Sequence, residues 1–377
     1  MLHPHSYRHL RPFLLTVLTG GVLSLAACDH AKDLVEQGKK QAEDLQKTME
    51  GKKDDAAAAA GSTTPAPGPS SGLSSSPSAA SGNATVPSTP AANAPKDYGL
   101  LLETFLKLDP GQRTDLYLQE LGDSPAEIRG RLTECNVTYS RVTNAGLAEL
   151  SKFPNLVSLN VTGCVGIDDN GLAGIKDVTG LEVLRLEGTK ISDAGMVHLR
   201  NLTRLKVLGL SQAITDNGLA KLRDLSQLEE FYLSGTQISG NGLRNVNLGN
   251  SLRILHAART SFGTAGITKL SAQKNLEEVD LTYAQVSDRS VGNLKGLGKL
   301  RNLILNHNMI SDVGVKQLTG LHSLEDLGLG GTQITDECLP VFKPCKKLRH
   351  VYVKTTAVSG AGVAFIKKFA PQCLVES

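Results

Sequence analysis

Leucines recur at a fixed spacing through the C-terminal two thirds of the chain, and this pattern predicts its architecture. Ten segments of the form Leu-x-x-Leu-x-Leu, or close variants of it, begin 23 to 25 residues apart. Such a period is typical of small units that bury their apolar side chains only by stacking on one another. The first leucines of the ten units are Leu132, Leu156, Leu181, Leu205, Leu228, Leu252, Leu276, Leu300, Leu324 and Leu348.

Within one unit, the spacing of apolar residues predicts a short strand followed by a turn and a short helix. In the unit that begins at Leu181, Leu184 and Leu186 fall on one face of the strand, and the residues between them face away. The segment Ser192–Gly195 then predicts a cap at the start of the helix. Its aspartate recurs in other units, and we interpret it as part of the cap rather than as a calcium ligand. The recurring aspartates are Asp193, Asp216, Asp288, Asp312 and Asp336.

The start of each helix carries the sequence Ile-Ser/Thr-Asp-x-Gly-Leu, which Ile214–Leu219 matches in full. The glycine is present in eight of the ten units, and Ser290 and Cys338 replace it in the others. Together with the leucine spacing, this sequence resembles the leucine-rich repeat family, in its 24-residue cysteine-containing and GALA-type variants. The resemblance implies an α/β fold: a right-handed, curved leucine-rich repeat solenoid of about ten repeats. Parallel strands would line its concave face and short helices its convex face.

Two segments are expected to cover the ends of this array, because terminal repeats expose a core edge. Residues 98–131 predict an N-terminal cap of two short helices separated by a proline. The repeat domain then spans residues 132–377, and a last helix and an abbreviated edge strand form its C-terminal cap. The apolar positions of the N-terminal cap are Leu101, Phe105, Leu108, Leu116 and Leu121.

The first 27 residues have the features of a secretory signal peptide. Two arginines precede the apolar stretch Phe13–Ala27, which is too short to span a bilayer comfortably and ends in small residues. The segment Leu25-Ala-Ala-Cys28 resembles the lipobox of bacterial lipoproteins. The resemblance implies that Cys28 is lipidated and acylated as the mature N-terminus. The protein would then be held on a membrane of the bacterial cell envelope, on its periplasmic or extracellular face.

Two segments of unusual composition separate Cys28 from the repeats. Residues 28–55 are charged and rich in helix formers, which predicts a solvated stalk behind the lipid anchor. Residues 56–97 consist almost wholly of Ala, Ser, Pro, Gly and Thr, and such a segment buries too little apolar surface to fold. We expect a disordered linker with a reach of about 35 Å.

The charge balance and the absence of known catalytic motifs disfavour nucleic-acid binding and enzymatic activity. Lys and Arg number 40 against 37 Asp and Glu, and this balance disfavours a nucleic-acid binder. The chain contains no G-x-S-x-G, H-E-x-x-H, P-loop or C-x-x-C sequence. We therefore expect no enzymatic activity, no cofactor and no metal.

Five cysteines remain after Cys28. Cys135 and Cys164 occupy repeat positions that predict buried thiols. Cys338, Cys345 and Cys373 lie in the last turns, where a disulfide such as Cys345–Cys373 could join the C-terminal cap to the array. The pairing among these three stays open.

The concave face is the candidate functional surface, because its outward strand positions come together from consecutive units. We expect a protein partner to bind there through a few aromatic and charged side chains. The alternatives are a self-assembling structural protein of the cell envelope and an F-box-like substrate receptor of a ubiquitin ligase. The candidate partner-binding residues are Arg185, Glu187, Tyr232, His256, Asp280, Tyr283, Asn306, His307 and Tyr352.

Overall fold

The computed structural model of the protein describes residues 96–377, which belong to one compact unit, Pro90–Ser377. The signal peptide, Cys28, the stalk and all but the last two residues of the linker lie outside the described residues. These four assignments stay predictions.

Eleven short parallel strands form a single sheet in chain order, β1 to β11. Equivalent residues of neighbouring units pair in register, as Leu184 of β3 does with Leu208 of β4. The first ten strands confirm the ten predicted units, and β11 is the predicted edge strand. The strands are Glu134–Asn136, Ser158–Asn160, Val183–Arg185, Val207–Gly209, Glu230–Tyr232, Ile254–His256, Glu278–Asp280, Asn302–Ile304, Asp326–Gly328, His350–Tyr352 and Leu374–Glu376.

Short helical segments lead from each strand back to the next, and several of them are 3₁₀ rather than α. Because so few residues separate two strands, many units complete only one tight turn. The α-helices α1 to α10 are Tyr98–Lys107, Asp115–Gly122, Ala126–Arg129, Asn144–Glu149, Asp169–Ile175, Asp216–Leu219, Gly263–Leu270, Asp288–Val291, Asp312–Val315 and Gly360–Phe369. The 3₁₀ segments are Pro110–Gln112, Leu150–Lys152, Gly195–Leu199, Gly242–Asn245, Gly292–Leu294 and Asp336–Phe342.

The core is a ladder of equivalent apolar side chains that runs through all the repeats. The ten leucines that begin the units are at most 4% exposed, as their spacing predicts. In the unit that begins at Leu181, Leu184 and Leu186 come from the strand side, and Met196 and Leu199 come from the helical side. All of them are fully buried, and each such side chain contributes about 1.5–3 kcal/mol on leaving water.

The N-terminal cap differs from its prediction in two respects. It contains three α-helices, α1 to α3, rather than two, with a 3₁₀ turn between α1 and α2. Its buried face holds Leu102 and Leu118 beside the predicted Phe105 and Leu121, whereas Leu116 is 62% exposed. The difference arises because helical spacing permits more than one apolar face, and contact with the first repeat selects one of them.

The recurring aspartates bridge neighbouring units, so their interpretation as caps is wrong. Asp216 accepts hydrogen bonds from the backbone N–H of Ser239 at 2.7 Å and from its hydroxyl at 2.6 Å. The cap is the Ser or Thr before each aspartate, as in Thr215, whose hydroxyl accepts from the amide of Asn217. Each carboxylate thus joins the start of one helical segment to the start of the next. Equivalent bridges begin at Asp115, Asp169, Asp193, Asp288, Asp312 and Asp336.

The same bridge explains the glycine of the repeated sequence. A Cβ atom at Gly242 would lie 2.3 Å from Oδ1 of Asp216 in the preceding unit, so a side chain there requires the carboxylate to shift. Cys338 lies beside the Asp312 bridge, so that bridge accommodates a side chain. At Ser290, the residue equivalent to aspartate in the preceding unit is Thr264. With no carboxylate to avoid, Ser290 fits and donates its hydroxyl hydrogen to the carbonyl of Ser287.

All five cysteines among the described residues are free thiols, so the disulfide considered between Cys345 and Cys373 is absent. The Cys345 thiol instead donates to the carbonyl of Leu321 at 3.2 Å. Burial raises the pKa of Cys345 to about 11 and that of Cys135 to about 12. These thiols are buried in the core, as is Cys164, and burial was expected for Cys135 and Cys164.

Candidate partner-binding face

The first and third residues of every strand point away from the core and form a continuous surface, which we call the sheet face. Register places the third residues of neighbouring strands side by side. The sheet face is the surface that the sequence analysis expects to be concave. Its third-residue row from β3 to β10 is Arg185, Gly209, Tyr232, His256, Asp280, Ile304, Gly328 and Tyr352.

Arg185 and Tyr232 meet across an intervening glycine. The Arg185 guanidinium lies 4.0 Å from the centre of the Tyr232 ring, and its Nη1 is 3.2 Å from Oε1 of Glu187. Gly209 makes this contact possible, because a Cβ there would lie 2.2 Å from the Glu187 carboxylate. The Tyr232 hydroxyl donates to Oε2 of Glu230 at 2.8 Å. The predicted residues Arg185, Glu187 and Tyr232 are thus one contiguous group.

His256 extends this group by one strand. Its ring meets that of Tyr232 edge to face, with centres 5.0 Å apart. Its Nε2 lies 2.7 Å from Oε1 of Glu278 on β7. Burial, reinforced by the charge of Glu230, raises the pKa of Tyr232, so its phenol stays a neutral hydrogen-bond donor. Fixed side chains of this kind present a surface that needs little ordering when a partner binds.

A second group lies where the strands end, and it consists of three stacked planar side chains that we call the exit stack: Arg259, Tyr283 and His307. The Tyr283 and His307 rings are parallel within 7° and their centres are 4.3 Å apart. The Arg259 guanidinium lies 5.5 Å from the centre of the Tyr283 ring. Tyr283 is nevertheless 47% exposed, so one of its faces or edges is open to a partner.

The backbone of the exit stack is left-handed, which favours glycine. The φ angles are 57° at Arg259, 54° at Tyr283 and 55° at His307. Glycine occupies the equivalent position in other units, for example Gly235 and Gly331. Each non-glycine residue in this conformation costs about 1–2 kcal/mol. The same turn position is also left-handed at Tyr139 and Thr355, so this backbone belongs to the repeat turn. Three consecutive units use it to stack planar side chains.

Two of the predicted contact residues, Asp280 and Asn306, form hydrogen bonds within the array. Asp280 is only 8% exposed, and its Oδ1 accepts from the amide and hydroxyl of Thr282. The side-chain oxygen of Asn306 accepts from the amide of Gly330 at 2.8 Å. Both hold the turn after a strand. The sequence pattern misses this, since a short polar side chain at a strand exit suits a turn as well as a ligand.

Tyr352 lies apart from the other aromatic residues of the sheet face. Its ring covers Gly330, where a Cβ atom would be 2.2 Å from the Tyr352 ring. The Lys354 ammonium lies 5.7 Å from the ring centre and 2.9 Å from a Glu376 oxygen. Tyr352 is therefore part of the C-terminal edge rather than of the main cluster.

The structure adds residues that the sequence analysis did not select. Arg259 belongs to the exit stack, and Glu230, Glu278 and Asp326 are first residues of β5, β7 and β9. The two-residue period of a strand places first and third residues on the same face, so this period was a sufficient signal for the three acids.

Two searches of the described part of the chain give negative results. Between residues 96 and 377, no group of three or more His, Cys, Asp or Glu side chains could hold a metal ion. In the same range, no helix has both the length and the apolar character needed to cross a membrane.

Models of the leucine-rich repeat match two parts of the chain, residues 274–334 and residues 154–176. The matched parts contain strands β7 to β9 and β2 of the parallel sheet. With the register and the buried leucine ladder, they define the described unit as an α/β leucine-rich repeat solenoid. No curated protein matches the sequence of the chain.

Solved structures with a similar arrangement come from several sources. An internalin from Listeria monocytogenes is 18% identical, with 67% of this chain and 89% of the internalin covered and a TM-score of 0.39. A leucine-rich repeat protein from Leptospira interrogans is 20% identical, with 67% and 74% covered and a TM-score of 0.43. A TDR receptor is 14% identical, with 72% and 47% covered and a TM-score of 0.47.

Proposed function

We propose that this protein is a membrane-tethered lipoprotein of the bacterial cell envelope that binds a protein partner through its sheet face. The single observation that carries the binding role is the exit stack. Three planar side chains from consecutive units are stacked at the same turn position, and the middle one remains half exposed.

The energetics of recognition support this role. Tyr and Arg are the side chains that most often dominate binding energy at protein interfaces. Here Tyr283 is stacked and Arg185 is fixed against Tyr232, so a partner loses little free energy in ordering them. A protein can therefore bind to this face without a conformational change in the array.

Capture of a partner by the full-length protein tests the binding role. Tyr283→Ala removes the centre of the exit stack, and Val313→Ala is the matched control because Val313 is 66% exposed on α9, away from the sheet face. We expect the wild type and the control to retain the same envelope protein. Tyr283→Ala should lose it by about 30-fold, as for a hot-spot residue. Equal retention by both variants would contradict the proposal.

The tether rests on the sequence Leu25-Ala-Ala-Cys28 and on the apolar stretch before it. Several acyl chains give stable anchoring, because each buried CH₂ contributes about 0.8 kcal/mol. Mass spectrometry of the mature N-terminus tests it, and we expect a diacylglyceryl group on Cys28. An unmodified cysteine, or a chain that still carries residues 1–27, would overturn the tether.

The two alternatives predict different outcomes in the same experiments. A self-assembling envelope protein would capture chiefly copies of itself, and its sedimentation coefficient would rise with concentration. An F-box-like receptor would keep its N-terminus and remain in the cytosol.

A further inference from the structure

The sheet face carries an excess of negative charge that the chain as a whole does not. The formal charge of the whole chain is +3. On the sheet face and the next outward position of each unit, Arg185 and Lys354 are the only Lys or Arg side chains in the described repeats. The acidic side chains there are Glu134, Glu187, Glu230, Glu278, Asp280, Asp326 and Glu376.

The residues just before the strands do not share this excess. From β3 to β10 they alternate in sign from one unit to the next and form ion pairs along the array. Lys206 lies 2.8 Å from Glu182, and Arg253 lies 2.9 Å from Glu277. This row, which we call the alternating row, compensates its own charge. Its members are Glu182, Lys206, Glu229, Arg253, Glu277, Arg301, Glu325 and Arg349.

Three of the sheet-face acids form a regular line. Glu230, Glu278 and Asp326 begin β5, β7 and β9, so they stand on alternate strands, about 9.6 Å apart. The side chains of Glu230 and Glu278 are 28% and 21% exposed, which leaves them partly desolvated but accessible. Burial raises the pKa of Asp326, whereas the nearby charges act in both directions: His350 and Arg349 lower it, and Glu325 and Glu278 raise it. The line therefore belongs to a surface with seven acidic side chains and two Lys or Arg side chains.

We propose that the sheet face binds an extended, basic segment of the protein partner that runs across β5 to β9. Lys or Arg side chains of this segment pair with Glu230, Glu278 and Asp326, at one margin of the face. The exit stack, at the other margin, contacts the remainder of the partner. This proposal rests on the proposed function and specifies the chemistry of the partner.

The spacing of Glu230, Glu278 and Asp326 favours one conformation of the bound segment, polyproline II. A polyproline II segment rises about 3.1 Å per residue and repeats every three residues, so it places equivalent side chains about 9.3 Å apart. This is close to the spacing of every second strand. A segment with a basic residue at every third position therefore matches the three carboxylates one to one.

A synthetic peptide of repeated Lys-Pro-Pro units is the direct probe, and the matching Glu-Pro-Pro peptide is its control. Binding of each labelled peptide to the full-length protein is measured by fluorescence anisotropy at several salt concentrations. We expect the Lys peptide to bind, with an affinity that falls as salt rises, because these charge pairs are accessible to counter-ions. Equal binding of the two peptides, or none by the Lys peptide, would overturn the proposal.

Two triple variants that each remove three negative charges separate specific docking of the basic segment from attraction by net charge. In the test variant, Glu230→Gln, Glu278→Gln and Asp326→Asn are combined. The control combines Glu229→Gln, Glu277→Gln and Glu325→Gln, which removes the same charge from the preceding residues. These residues belong to the alternating row.

Each partly exposed charge pair is worth about two- to threefold in affinity, so the test variant should bind about tenfold more weakly. The control variant should stay within about twofold of the wild type. Equal weakening by both variants would mean attraction by net charge alone and would refute a docked segment. Circular dichroism of both variants confirms that the repeats are folded.

The outcome also separates this proposal from the function on which it rests. If the envelope partner is captured in a manner that depends on Tyr283, but the Lys-Pro-Pro peptide neither binds nor competes, the basic segment is wrong and the binding role stands. If neither Tyr283→Ala nor the triple acidic variant affects capture, the binding role itself fails.

Discussion

A double-mutant cycle on Asp216 and Gly242 tests the bridge that joins the repeats. Asp216→Ala removes two charge-assisted hydrogen bonds to Ser239, at 2.7 and 2.6 Å, and leaves the Ser239 amide without its acceptor. Hydrogen bonds to charged groups contribute about 1.5–3 kcal/mol when buried. Because this pair is only partly buried, we expect Asp216→Ala to lower the free energy of unfolding by about 2 kcal/mol.

Gly242→Ala acts on the same contact from the other side. Its new methyl group would lie 2.3 Å from Oδ1 of Asp216, so the carboxylate must move and its hydrogen bonds weaken. We expect a loss of about 1–2 kcal/mol in the Asp216 background and almost none once Asp216 is alanine.

Urea unfolding of the full-length protein, followed by circular dichroism, gives the coupling energy. The double variant should lose about 2 kcal/mol, which is 1–2 kcal/mol less than the sum of the single losses. Asp216→Ala combined with Gly314→Ala is the control, because the carboxylate near Gly314 is that of Asp288. That pair should be additive within about 0.5 kcal/mol. Additivity in both pairs would refute the explanation of the repeated glycine.

Three further outcomes follow from the described residues. Hydrogen bonds from Ser359 lower the pKa of Asp336, so its stabilisation is complete above the unfolded value of about 3.9 and disappears as pH falls through the folded value. Thermal melts should therefore show a flatter acid limb for Asp336→Asn, and an unchanged limb would contradict the bridge. Because burial raises the pKa of Cys345 to about 11, iodoacetamide at pH 8 should label it only after unfolding; rapid labelling of the native protein would argue against a buried thiol. Leu118→Ala should cost about 2–5 kcal/mol in urea unfolding and Leu116→Ala less than about 0.5, and equal losses would refute the assigned cap face.

The fold was predictable because its signal is repeated. The leucine period located all ten units, since each unit lacks a partner for its apolar face until its neighbour supplies one. The buried faces of the N-terminal cap helices were less predictable. Each cap helix occurs only once in the chain, so no repeated pattern indicates which of its apolar residues are buried. The choice between Leu116 and Leu118 depended on contact with the first repeat.

The candidate site was predictable in position but not in detail. Repeat phase placed Tyr232 and His256 side by side and Tyr283 next to His307, as the structure shows. It did not reveal that the Asp280 carboxylate accepts a hydrogen bond from the amide of Thr282, because this bond depends on the local geometry of the turn. The sequence did not reveal the role of the recurring aspartates either. An aspartate at the start of a helix can cap that helix or bridge to the next unit, and the sequence is the same in both cases.

Photo-cross-linking at a single residue tests the central claim that the sheet face binds a protein. A benzophenone amino acid replaces Tyr283 in one version of the full-length protein and Val313 in the other, and both are irradiated in intact cells. We predict a cross-linked partner protein from position 283 and none from position 313. A partner that cross-links only from position 313, or no cross-link from position 283, would contradict the claim.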